Sequence, residues 1–303
     1  MNRSSNRNDV LKCFDLYYQK LKNYSFESKK LLKTAIEKDV WPLVFRDFSP
    51  RTLTVRKPED GGITIEEFRK KAIDFLSLNY SRYFSENPLA YYEYDELTKA
   101  IPCADFEQWH QNMCESLLRL INARYCDRKE NTKNLVAVSY GKAQKIINMM
   151  FKYLYCFDCA DRYLEKFQNC HMTIDAVIID WFADVALPAL SGKSEKFLNS
   201  GTIKWSKAFH RGSMTEPNTY LWYQKQIKQF LKISYLDQDG QKLTPFLAEF
   251  YAWPEEQWLK ATKAWLSLDV NRTDYPAYDD KNLADYAQRI SECICKRSMA
   301  ELL

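Results

Sequence analysis

SYGKAQKIINMMFKYLYCFDCADRYLEKF, residues 139–167, decides how this chain is read. Ala143, Ile146, Ile147, Met150 and Leu154 recur at steps of three and four, the spacing that gathers apolar side chains on one side of an α-helix. Lys142, Lys145 and Lys152 fall with Asn148 on another face, and Cys156 and Cys159 follow as a Cys-x-x-Cys pair. Neither glycine nor proline interrupts FKYLYCFDCADRYL, so the spacing predicts one long helix. Three uses compete for it: a nucleic-acid platform, half of a metal site, or the central helix of a core.

The sequence on either side is also helical. Leu11, Phe14, Tyr17, Tyr18 and Leu21 repeat at helical spacing, and Ser25-Phe26-Glu27 opens a helix carrying Leu31, Leu32, Ala35, Ile36 and Val40. Pro50 ends that pattern, and TLTV forms a short strand before the turn at Gly61-Gly62. Thr64 with Glu67 makes a capping box for a helix that buries Phe68, Ala72, Phe75, Leu76 and Tyr80. Asp105 caps another, running through Trp109, Met113, Leu117, Leu118 and Ile121. Beyond the long helix, a turn at Cys170-His171 leads to a helix from Thr173 to about Val185, ended by Pro188. Residues 219–233, a helix opened by Pro254 and a last helix over 282–299 complete an all-α pattern with a minor strand element. The polar run CDRKENTKN, residues 126–134, marks the boundary between an N-terminal helical region, 1–130, and a C-terminal one, 131–303, packed against it or continuous with it.

Composition narrows the classes. The chain has 303 residues, enough for a large core, and only seven glycines, which disfavours phosphate-cradling loops. The longest apolar runs, AVIID and ALPAL, are too short to cross a bilayer, so no membrane partner is expected. MNRSSNRNDVLKCFDLYYQK lacks the layout of a secretory signal, and nine cysteines, an odd number, suit reduced thiols in the cytoplasm. A net charge of +4 permits a polyanionic partner without requiring one.

The first expectation is binding of DNA or RNA, with an appended nuclease activity. Lys142, Lys145 and Lys152 are spaced to meet successive phosphates, and Asn148 could reach a base edge. Lys225 and Lys228 on the 219–233 helix would extend that surface, with Trp222 stacking on a base. The competing explanation is that lysines merely solvate an amphipathic helix. The second expectation is a structural or interaction protein, a homo-oligomer whose aromatic residues, 15% of the chain, feed an interface. The third is a metal-dependent hydrolase. Cys156, Cys159, Cys170 and His171 are the right ligand types for tetrahedral zinc, although a Cys pair inside a helix is poor context. Asp180 and Asp184, one turn apart, could share a divalent metal as cofactor, with His171 and His210 as acid–base groups.

Overall fold

The computed structural model describes residues 5–26, 28–85, 105–128, 135–191, 205, 209–234 and 242–268. The chain is mostly helical with a small three-stranded sheet. It opens with α1 (Arg7–Lys12), α2 (Asp15–Leu21), α3 (Lys29–Ala35) and α4 (Trp41–Phe48). Strand β1 (Thr54–Val55) leads to α5 (Ile65–Phe84), and α6 (Phe106–Arg124) runs directly into β2 (Tyr125–Arg128). Strand β3 (Leu135–Val136) precedes α7 (Tyr140–Leu154), α8 (Leu164–Gln168), α9 (Ala176–Trp181) and α10 (Leu187–Ser191). Helices α11 (Tyr220–Ile233) and α12 (Pro245–Leu268) follow. The strands lie in the order β1-β2-β3, all antiparallel, with Thr54 opposite Cys126 and Asp127 opposite Val136.

The capping signals in the sequence do what their chemistry requires. Thr64 Oγ1 accepts from Glu67 N at 3.1 Å and Asp105 Oδ2 from Gln108 N at 3.0 Å, each satisfying a donor that the first helical turn leaves unpaired. Pro188 does not stop its helix. A π-turn, Phe182–Ala186, joins α9 to α10 just ahead of it, and Ile36–Val40 does the same between α3 and α4 ahead of Pro42. A proline lacks the N–H and crowds the carbonyl four residues back, and a widened turn gives that carbonyl room. Pro254 likewise sits inside α12, whose first residue is a different proline, Pro245, at the position where a missing N–H costs nothing.

The long helix read over 139–167 is two α-helices, α7 and α8, with a 3-10 stretch, Asp158–Tyr163, leading into the second. After Leu154 the carbonyls of Tyr155 and Phe157 accept from the buried Arg7 guanidinium at 2.9 and 2.7 Å, and Asp158 N donates to Lys22 O at 2.8 Å. Tertiary partners thus take over groups that a continuing helix would use itself. Helix α7 lies at the centre, packed on α2, α4 and α6, and every residue of it except Lys145 is buried. Helix α12 packs on α1, α8, α9 and α11. Among the described residues no helix is long and apolar enough to cross a membrane. The expected helix at 282–299 lies outside the described residues.

Candidate functional site

The polar stripe of α7 faces inward, which corrects the solvent-facing basic platform. Lys142, 1% exposed, donates to Phe48 O at 2.8 Å, Ser49 O at 3.3 Å and Thr52 Oγ1 at 2.9 Å. It therefore closes the C-terminal end of α4, where helix carbonyls are unpaired and the helix dipole is negative. Burial, aided by the nearby Lys145 charge, draws its pKa down to about 8. Lys145 pairs with Asp175 at 3.0 Å, and the same carboxylate caps α9 by accepting from Val177 N and Ile178 N. Burial alone would raise the Asp175 pKa, but the Lys145 charge and hydrogen bond outweigh it and the net direction is down. Lys152, 5% exposed, donates to Glu249 Oε1 at 3.0 Å, while Glu249 Oε2 accepts from Thr173 N at 2.7 Å. Burial raises the Glu249 pKa, and Lys152 offsets this only in part.

The helix expected from Thr173 begins only at Ala176. Cys170 to Ile174 have no regular secondary structure and, among the described residues, no strand paired with them, yet they are buried. Side-chain amides serve their backbone instead. Gln144 Oε1 accepts from Ile174 N at 3.2 Å, and its Nε2 donates to Ile174 O at 2.6 Å. Gln224 does the same for Met172, accepting at 3.3 Å and donating at 2.7 Å. Each amide pairs both backbone groups of one residue, the role a neighbouring β-strand would play.

Asn148 links this segment to a buried chain of titratable groups. Its Nδ2 donates to Gln144 Oε1 and to Tyr220 OH, both at 3.0 Å, and its Oδ1 lies 3.0 Å from His110 Nε2. Tyr220 OH lies 2.9 Å from His171 Nδ1, and His171 Nε2 lies 2.9 Å from Glu107 Oε1. An ionised carboxylate and an amide oxygen can only accept, so both histidines carry their proton on Nε2. His171 Nδ1 then accepts from the Tyr220 hydroxyl. Burial lowers the His110 pKa to about 3 and lowers that of His171, so both rings are neutral. Burial pushes Glu107 up, but the hydrogen bond from His171 and the nearby Lys228 charge hold it below the usual carboxylate range.

Cys114, His110 and Asn148 are ordered as thiol, imidazole and amide, with Sγ 3.8 Å from His110 Nδ1. A nucleophilic cysteine site has that order. Here the thiol is fully buried, and burial pushes its pKa up to about 12. A neutral thiol beside a neutral imidazole is polar packing, not an activated nucleophile.

The zinc expectation is overturned. Among the described residues no group of three or more His, Cys, Asp or Glu is placed to hold a metal ion. Cys156 and Cys170 turn their thiols onto the carbonyls of Lys152 and Lys166, four residues back. Cys159 Sγ accepts from Phe26 N at 3.4 Å, and both nitrogens of His171 are engaged as described. Burial raises the Cys156 thiol to about 12, far from the thiolate a metal requires. The carboxylate centre is not assembled either. Asp180 pairs with Lys260 at 2.6 Å, Asp184 is exposed in the π-turn, and His210 sits on an exposed turn 2.8 Å from Glu216. On α11, Lys225 is half-buried and Lys228 is exposed 3.4 Å from Glu107. Trp222 packs edge-on against Phe182 and Tyr223.

Glu107, His110, Tyr220, Gln224 and Glu249 escape a sequence reading built on charge runs and known motifs. One signal was present: Asn148 interrupts IINMM, and a polar side chain in an apolar run needs a buried partner. Comparison with known proteins gives no match, neither to a protein-family model, nor to a curated protein, nor to a solved structure.

Proposed function

We propose that this chain is a structural, protein-interaction protein that pairs with a second copy of itself through its small sheet. The observation that supports this reading is that three of the eight large apolar residues exposed among the described ones fall on one small sheet. Val55 on β1 and Leu135 and Val136 on β3, the two outer strands of one sheet, stand 46%, 49% and 39% exposed. An outer strand with apolar side chains in water is a template for pairing with another chain. The charged residues of α7 are turned to internal partners, so its lysines serve the fold and are not offered to a ligand. The described cysteines, Cys13, Cys114, Cys126, Cys156, Cys159 and Cys170, are thiols rather than disulfides, which suits a reducing, cytoplasmic setting.

Sedimentation velocity of the wild-type protein and of Leu135→Lys/Val136→Lys, over a concentration series, tests the reading. The expected result is a wild-type dimer and a monomeric variant with an unchanged circular dichroism spectrum. A wild-type protein that stays monomeric to about 100 μM would remove the reading, since a specific interface of ordinary size binds well below that.

A further inference from the structure

We propose that Glu107, His171, Tyr220 and His110 form an acid-sensitive latch that ties α11 and the turn before it to α6. The parts come from three places in the chain: Glu107 and His110 from α6, His171 from the segment between α8 and α9, and Tyr220 from the first residue of α11. The two imidazole centroids lie 4.9 Å apart, and the Tyr220 hydroxyl serves both rings, 2.9 Å from His171 Nδ1 and 3.3 Å from His110 Nε2. Tyr220 also stacks on His110 at an interplanar angle of 4°. The turn leading to Tyr220 is fastened at the same place, with Tyr220 N donating to His210 O and Leu221 N to Arg211 O.

Every member of the chain has a defined role while both rings are neutral. A proton added at His171 Nδ1 makes that nitrogen a donor facing the tyrosine hydroxyl, whose own hydrogen then loses its acceptor. A proton added at His110 Nδ1 places a charge against Tyr140 OH, 3.5 Å away, and the Cys114 thiol. The groups around the pair are Glu107 and Cys114 from α6, Tyr140 and Asn148 from α7, Tyr220 and Lys228 from α11, Arg211 from the turn and Glu249 from α12. Lys228 and Arg211 both oppose a further positive charge on His171.

The sign of the response follows from linkage. An unfolded histidine titrates near 6.5, whereas burial holds His110 at about 3 and lowers His171. The open form therefore binds more protons below about pH 6.5, and closure is lost progressively as pH falls towards the folded values. Glu107, held below its ordinary value of 4.5, acts in the same direction further down. The latch does not depend on self-association.

Hydrogen exchange of the full-length protein, read by mass spectrometry from about pH 7 to about pH 4.5 and corrected for intrinsic rates, tests it. Below about pH 6.5, peptides over 209–233 are expected to lose protection by up to about tenfold per latch proton and pH unit, while those over 140–154 keep theirs. In His110→Gln/His171→Gln that acid response should largely vanish. Simultaneous loss over both regions, or an undiminished response in the variant, overturns the proposal. If the variant does not fold, NMR titration of the wild-type imidazoles decides. Rings that protonate in the window where 209–233 opens support the latch, and opening while both rings stay neutral overturns it.

Discussion

Lys152 and Glu249 are a buried ion pair with side chains 7% and 2% exposed, held between the central helix and α12. Removing two charges from water costs several kcal/mol, which their attraction offsets only while both partners remain. Lys152→Met should therefore destabilise the fold by about 3 kcal/mol, because it strands a carboxylate that burial already pushes towards protonation. Adding Glu249→Gln removes that charge and keeps an oxygen for Thr173 N, so the double variant should recover about half of the loss. Urea denaturation of the three proteins reads both values, and a single variant within about 1 kcal/mol of wild type would show that the pair contributes little.

At the scale of elements, the residue 170–175 segment behaves as a strand whose neighbours are side chains. Gln144 and Gln224 come from different helices, so the segment fastens α7 to α11 as well as to itself. Gln144→Leu keeps the volume but leaves Ile174 N and O unpaired and removes an acceptor from Asn148, and it should cost about 2–4 kcal/mol. Asp105→Ala removes one exposed cap and should cost about 1 kcal/mol. Thermal or urea unfolding that ranks the two in the opposite order would mean that water can enter and serve the segment.

Across the whole molecule, buried residues from Val10 to Ala252 join in one apolar cluster. Trp109, Trp181, Tyr80, Tyr153, Tyr155, Tyr220 and Tyr223 are among its largest fully buried members. Much of the aromatic content that could have served bases or ligands is thus packing. Among the described residues no side-chain group is placed to add an ion to that core. A chelator should leave the unfolding midpoint within about 1 °C, and a fall that added zinc reverses would restore a metal to the account.

The sequence by itself determined the helical class, the caps at Thr64 and Asp105, and the strand at TLTV, because these depend on local periodicity and on donors a few residues away. It also marked the apolar residues of α7 correctly, since Ala143, Ile146, Ile147, Met150 and Leu154 are all buried. Only the tertiary structure decided what the other face does. A lysine on a helix looks the same in sequence whether it meets water or, like Lys142 and Lys152, a carbonyl or carboxylate brought from about a hundred residues away. The end of α7, set by Arg7, and the chain from Glu107 to His110 were hidden for the same reason. Their partners are distant in the chain, and a buried polar group is defined by its partner.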